Sequence, residues 1–285
     1  FEAGGDWSVP ASMFSEEAVA ASVTCGVARV RAWVQDVIVD SKVCPFTASP
    51  DRAGTGLEAA GVTPGPVLWP TSVAEGSGPR ATVDLCRDFW RAVVDLLSAP
   101  PEEASTTLLV APLFAVGDHG GFLRAMDLIV DSLKLVRGDD DVALVFFHPD
   151  YDRDDPALRQ DRPIHGHLPP SSWLRAYLKL AKSDEEIASL TADDLRKSLY
   201  QRRAPCTTIN ILRADQVDKA EAFVPSMVIE PTPGRRIRVS GAKVYAANTW
   251  RLAAASERRV DALGYEYLAA RGGRRARGPS ISAPS

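Results

Sequence analysis

"VALVFFHPDYDRDD", residues 142–155, decides how this chain is read. Its first six residues are all apolar, which suits a strand buried on both faces. The histidine, proline and aspartates behind it suit a turn at the strand's end. "TTLLVAP" (106–112) has the same character. Between the two, Phe122, Met126, Ile129, Leu133 and Val136 recur at helical spacing. Strand, helix, strand in that order implies a βαβ unit, and hence an α/β protein.

Working outward, Ser15 reads as an N-cap, with Glu16 and Glu17 in the first turn, where carboxylates favour the helix dipole. Val19, Val23, Val27, Val30, Val34, Val37 and Ile38 carry a long helix toward Cys44-Pro45-Phe46. Residues 47–66 are rich in Gly, Pro, Ala and Thr and read as a surface loop. "PVLWP" (66–70) reads as a short edge strand, and Val83, Cys86, Phe89, Val93 and Leu97 mark another helix. After an acidic, proline-rich loop at 152–170, short helices are expected near 171–182 and 191–201, the second capped by Thr191. "CTTINILR" (206–213) is a further strand, "ADQVDKAEAF" the helix after it, and "SMVIEP" and "RRIRVS" two more strands. A last helix is expected over 241–270.

The resulting expectation is a single α/β sandwich with a small central sheet of three to five strands and helices packed on it. It comprises an arm at 1–14, a core at 15–240 with an insertion at about 152–201, the helix 241–270 and a basic tail at 271–285. In a chain of 285 residues, 45% hydrophobic and 25% charged, this is ordinary globular composition. No apolar run approaches the roughly 18 residues of a membrane span. Cys25, Cys44, Cys86 and Cys206 are scattered without a C-x-x-C pair, which suits reduced thiols in an intracellular or organellar compartment. The first residue is Phe1 and not Met, which raises the expectation of a preceding segment: a transit peptide, a signal or simply a disordered start. Residues 235–285 hold eleven Lys/Arg against three Asp/Glu, a local +8, so the rest carries −12 of the net −4. An acidic body with a basic arm is not a specific nucleic-acid binder in bulk, although the arm can touch an anionic surface.

Chemistry is sparse. There is no glycine-rich phosphate loop and no G-x-S-x-G elbow, so no cofactor is expected. Asp150, Asp152, Asp154 and Asp161 fall at positions 1, 3, 5 and 12 of a calcium-type loop, but position 6 is Asp155 and not glycine, and a strand precedes it. A solvated acidic loop is the blander reading. "HGH" (165–167) offers two imidazoles without a third ligand at recognisable spacing. His148 stands just past the end of an apolar strand, where α/β proteins place their chemistry. Its imidazole can shuttle a proton near neutral pH. Alternatively, the His-Pro step only satisfies backbone groups at the sheet's edge.

"VIVDSKVCPF" (37–46), "TTLLVAP" (106–112), "FFHPDY" (146–151) and "RRAPCTTINILRADQVDKA" (202–220) fall in the order seen in the family catalogued as domain of unknown function 1415, which this chain resembles over roughly 28–222. The family has no established activity, so the resemblance implies a core and a candidate pocket. Its last block usually reads Asn-Arg-Ser-Pro-Tyr-Pro, two apolar residues, His, two leucines, Arg, Glu. Arg203, Pro205 and Arg213 match. Arg202, Ala204, Asn210 and Ala214 replace the asparagine, serine, histidine and glutamate. The groups lost are those that attack electrophiles or move protons.

Two functions follow from that resemblance. One is a non-catalytic accessory or structural subunit of a larger assembly, touching other subunits through 1–14 and 271–285, peripheral to a mitochondrial or plastid membrane. The other is an enzyme or small-anion binder in which His148 and Cys44 are catalytic candidates and Arg203, Arg213, Tyr151 and Asn210 hold the ligand. The pocket reading expects Cys44, His148 and Arg203 to converge.

Overall fold

The computed structural model describes residues 16–155, 168–222, 224, 226–239 and 241–253. The N-terminal arm, Asp161, the "HGH" stretch, the far half of the expected last helix and the basic tail lie outside the described residues. Helix α1 (Glu16–Trp33) continues into a wider π-helical turn over Val34–Val39, short of the expected end at Cys44. Then come β1 (Thr47–Ser49), β2 (Arg52–Ala53), β3 (Gly65–Leu68), α2 (Pro79–Ser98), β4 (Thr106–Ala111), α3 (His119–Leu135) and β5 (Val142–Phe147). The second half adds α4 (Leu174–Leu178), α5 (Asp184–Ala188), α6 (Ala192–Lys197), β6 (Thr207–Arg213), α7 (Ala214–Ala222), β7 (Met227–Thr232), β8 (Arg235–Val239) and α8 (Ala242–Ala253).

The fold is mixed α/β, but the sheet is larger than expected. It has six strands in the order β1-β2-β3-β4-β6-β5, and β7 and β8 form a separate hairpin. Residues 47–66, read as loop, supply two of the extra strands, so β3 is an interior strand and not an edge. Strands β4 and β5 are joined by α3 as the periodicity implies. They are not neighbours, however, because β6 lies between them and pairs antiparallel with both, Leu109 and Phe146 each facing Ile209 across the ladder. All six residues of β4 are buried, as a strand with helices on both faces requires.

Alternation along these strands divides the core in two. Leu109, Ala111, Leu144, Phe146, Ile209 and Ile211 meet α2 and α3 on one face. Leu108, Val110, Val145, Phe147 and Leu212 meet α1 and its π-helical extension on the other. Gly65 explains how tightly β3 docks: a Cβ there would lie 2.0 Å from the Pro101 carbonyl oxygen. Helix α2 begins with Pro79 at its first position and ends before Pro100 and Pro101. Helix α6 starts as expected at Thr191, whose hydroxyl accepts from the Asp194 N–H while the Asp194 side chain reaches back in a capping box.

Candidate functional site

The C-terminal ends of β4 and β5 and the start of β6 lie together at one end of the sheet, and the turn 148–155 crosses them. His148 is 1% exposed there. Its backbone N–H donates to the Arg202 carbonyl at 3.1 Å and its own carbonyl accepts from the Tyr151 N–H at 3.0 Å. The ring is held as firmly. Nδ1 accepts from the Asp150 N–H at 3.1 Å, and Nε2 lies 3.1 Å from the Ala115 carbonyl oxygen. An amide can only donate and a carbonyl only accept, so the ring proton sits on Nε2. The ring also stacks on Phe122, with centroids 4.6 Å apart.

Next to it stands a residue the sequence reading passed over. His119, the first residue of α3, has its ring centroid 5.3 Å from that of His148. Its Nδ1 is 2.9 Å from a carboxylate oxygen of Asp155. Its Nε2 is buried and has no hydrogen-bond partner among the described residues. The carboxylate orients the ring so that Nε2 presents its lone pair, as the orienting acid of a His-Asp pair does. The helix start is built around it. Asp118 caps α3 by accepting from the Gly121 N–H at 2.8 Å, and the Ser77 hydroxyl donates to its other oxygen. The Ser77 hydrogen bond, then that of Gly121, holds the Asp118 carboxyl below the usual carboxylate range. A side chain at 121 would collide with this cap, since a Cβ there would lie 2.4 Å from Asp118 Oδ2. "DHGG" (118–121), just past an apolar strand, was the signal available in the sequence.

The other candidates are distributed around and away from this end. Arg203 is near: its Nε donates to the Tyr151 carbonyl at 2.8 Å. Tyr151 is buried, its hydroxyl accepts from the Leu168 N–H, and burial pushes its phenol up. Arg153 is buried beside it, donating to the Ser198 hydroxyl and the Pro169 carbonyl, and burial pulls its guanidinium down to about 10.

Cys44 does not join His148. It packs on the core of the opposite sheet face, with Phe147 and Ala204, whereas the His148 ring lies on the α3 face. Asn210 sits in mid-strand, between Leu108 and Val145, and accepts from the Thr106 hydroxyl at 2.7 Å. Arg213 is at the far end of β6, opposite Val142, so it cannot act with Arg203 on one anion. Its Nε donates to the Ala104 carbonyl at 3.0 Å and its Nη2 to the carbonyls of Leu96 and Ala99.

The aspartates of the acidic turn go separate ways. Asp154 accepts from the N–H and hydroxyl of Ser171, Asp152 from the Asp154 N–H, and Asp155 turns to His119. Among the described residues no three His, Cys, Asp or Glu side chains group closely enough to hold a metal, and no helix is long and apolar enough to cross a membrane. All four cysteines are free thiols, and burial pushes that of Cys206 up to about 12.

No curated protein and no solved structure matches the chain. A family model does match residues 70–162, which carry α2, β4, α3, β5, both imidazoles and Asp155. The Cys-Pro-Phe stretch and the 202–220 block fall outside the matched segment. Over residues 70–162 the chain is thus similar to the family described as protein of unknown function (DUF1415).

Proposed function

We propose that this protein is a non-catalytic accessory or structural subunit of a larger assembly, built on an enzyme-like core. One observation carries the reading: the side chains singled out for chemistry serve as internal fasteners. Both nitrogens of His148 are engaged by backbone groups, Arg213 is spent on three carbonyls, and Asn210 is tied to Thr106. A general base must reach the proton it abstracts, and a ring closed on both sides by its own backbone does not. The placement in an organelle, the contacts through 1–14 and 271–285 and the approach to an anionic membrane surface belong to the same proposal and rest on charge and composition. A native gel of the source material, with mass spectrometry of the co-migrating bands, tests it. Migration with other proteins is expected. Migration as a small species, unchanged when residues 271–285 are deleted, would overturn it.

His119 favours a second reading. A buried Nε2 aimed away from its orienting carboxylate is available to a small molecule that donates a hydrogen bond. On this reading Asp155→Asn shifts the 15N resonances of both His119 ring nitrogens, because the amide no longer fixes the tautomer, and a bound hydroxylic ligand moves Nε2 alone. Insensitivity of Nε2 to every such ligand leaves the pair as a structural clasp for the 148–155 turn.

A further inference from the structure

Helix α2 carries apolar side chains on two opposite faces. One face is buried on the sheet through Leu85, Phe89 and Leu96. The other points outward, with Val83 65%, Val94 58% and Leu97 40% exposed. Val83, Arg87, Trp90, Val94 and Leu97 follow one another at alternating steps of four and three residues, the spacing of a seam that packs against another helix. A surface helix needs only its inner stripe to fold, so the outer one calls for an occupant.

The charges beside the stripe say which occupant. They run Arg80, Asp84, Arg87, Asp88, Arg91, Asp95. Read backwards from the point between Arg87 and Asp88, every arginine falls where an aspartate stood. Two copies of α2 laid antiparallel about a two-fold axis at that point therefore match opposite charge with opposite charge throughout. Arg80 meets the partner's Asp95, and Asp84 meets the partner's Arg91, each contact occurring twice. In the same alignment Val83 and the partner's Val94 lie two residues, about 3 Å, apart along the axis, close enough for apolar contact. Within one chain, Arg87 bonds Asp84 and Asp88 at 3.0 Å, while Arg80, Arg91 and Asp95 have no ion-pair partner among the described residues. A partner of unrelated sequence would have no reason to meet a row with this internal antisymmetry. Helix α3 extends the surface. Each of α2 and α3 returns the chain between parallel strands, so the two run side by side in one direction over the same core. Leu128 on α3 is 50% exposed and Leu135 86%.

We infer that the chain forms a two-fold dimer through antiparallel pairing of α2 with α2 of a second copy. This inference does not rest on the subunit reading, since a dimer can exist with or without a larger assembly. Sedimentation equilibrium of the full chain tests it, with the single charge reversals Arg80→Asp and Asp95→Arg and their combination. Both reversals keep α2 intact, because each puts a charge at the helix end where the dipole favours it. The parent is expected to be a dimer at micromolar concentration. Each single reversal replaces two attractive contacts by two repulsive ones and weakens the dimer roughly tenfold. The double variant restores it, because the reversed charges again face each other. Val83→Glu, which sets a carboxylate in the seam, gives a monomer. A parent that stays monomeric at about 100 μM, single reversals without effect, or a double variant no better than the singles would each overturn the pairing. So would loss of a different protein from the α2 face on reversal, with the chain monomeric throughout.

Discussion

Arg213→Met is expected to destabilise the protein by roughly 3–5 kcal/mol, read as a lower midpoint of denaturant unfolding followed by circular dichroism. The reason lies at the end of α2. A helix leaves its last four carbonyls without intrahelical donors. Here the residue four beyond Leu96 is Pro100, and Pro101 follows, so neither supplies an amide. Arg213, 8% exposed, delivers the missing donors from a distant strand, to Leu96 and Ala99 with Nη2 and to Ala104 with Nε. Methionine keeps the packing of the stem and removes every donor, leaving buried carbonyls unpaired at about 1–3 kcal/mol each. Arg213→Lys keeps the charge but not the fork, and should fall between the two. Burial also lowers the pKa of the guanidinium, which accords with a group held by neutral carbonyls. Arg203, half-buried with one backbone bond, should cost only about 1 kcal/mol when replaced by alanine. Equal losses at the two arginines would sink this account of Arg213.

That role was not legible in the sequence, and the reason is physical. Arg213 stood out as a match to a family block, where an arginine suggests an anion. Its acceptors are backbone carbonyls 109 to 117 residues away, and no pattern of side chains announces them. His119 was missed for the same kind of reason, since Asp155 is 36 residues on and only folding brings them to 2.9 Å. What could be read was local. Strands β4 and β5 are six-residue runs dominated by apolar side chains, β6 carries Ile209, Ile211 and Leu212 among its seven, and α2 and α3 show clean periodicity. Strands β1 and β2 have three and two residues, too few for any period, so the sheet was read as smaller than it is. The insertion of β6 between β4 and β5 is a matter of pairing, which a strand's own composition does not encode.

The same distinction between local pattern and distant contact governs His148, whose replacement by alanine should cost about 3 kcal/mol of stability. Alanine removes the ring stacked on Phe122 and opens a cavity in a site that is 1% exposed. It also removes the bond from Nε2 to the Ala115 carbonyl. Ala115 is held at φ 51°, a left-handed conformation that costs a non-glycine residue about 1 kcal/mol or more. Its amide donates to Gly76 and its carbonyl also accepts from the Asp118 N–H, so the His148 bond helps fix the turn from which α3 starts. Loosening that turn loosens the Asp118 cap and the placement of His119 beside it. His148→Phe keeps the ring volume and the stacking but neither hydrogen bond, and should cost about 2 kcal/mol. Hydrogen exchange should then show earlier opening of residues 112–121 than of α2, since only the former are pinned by the imidazole. A working general base behaves otherwise: its replacement abolishes a reaction and leaves the fold's stability nearly untouched. If His148→Phe unfolds within about 0.5 kcal/mol of the parent, the imidazole is not a fastener. The burial of a closed, doubly bonded ring at the end of β5 would then have to be explained by what it does to a ligand.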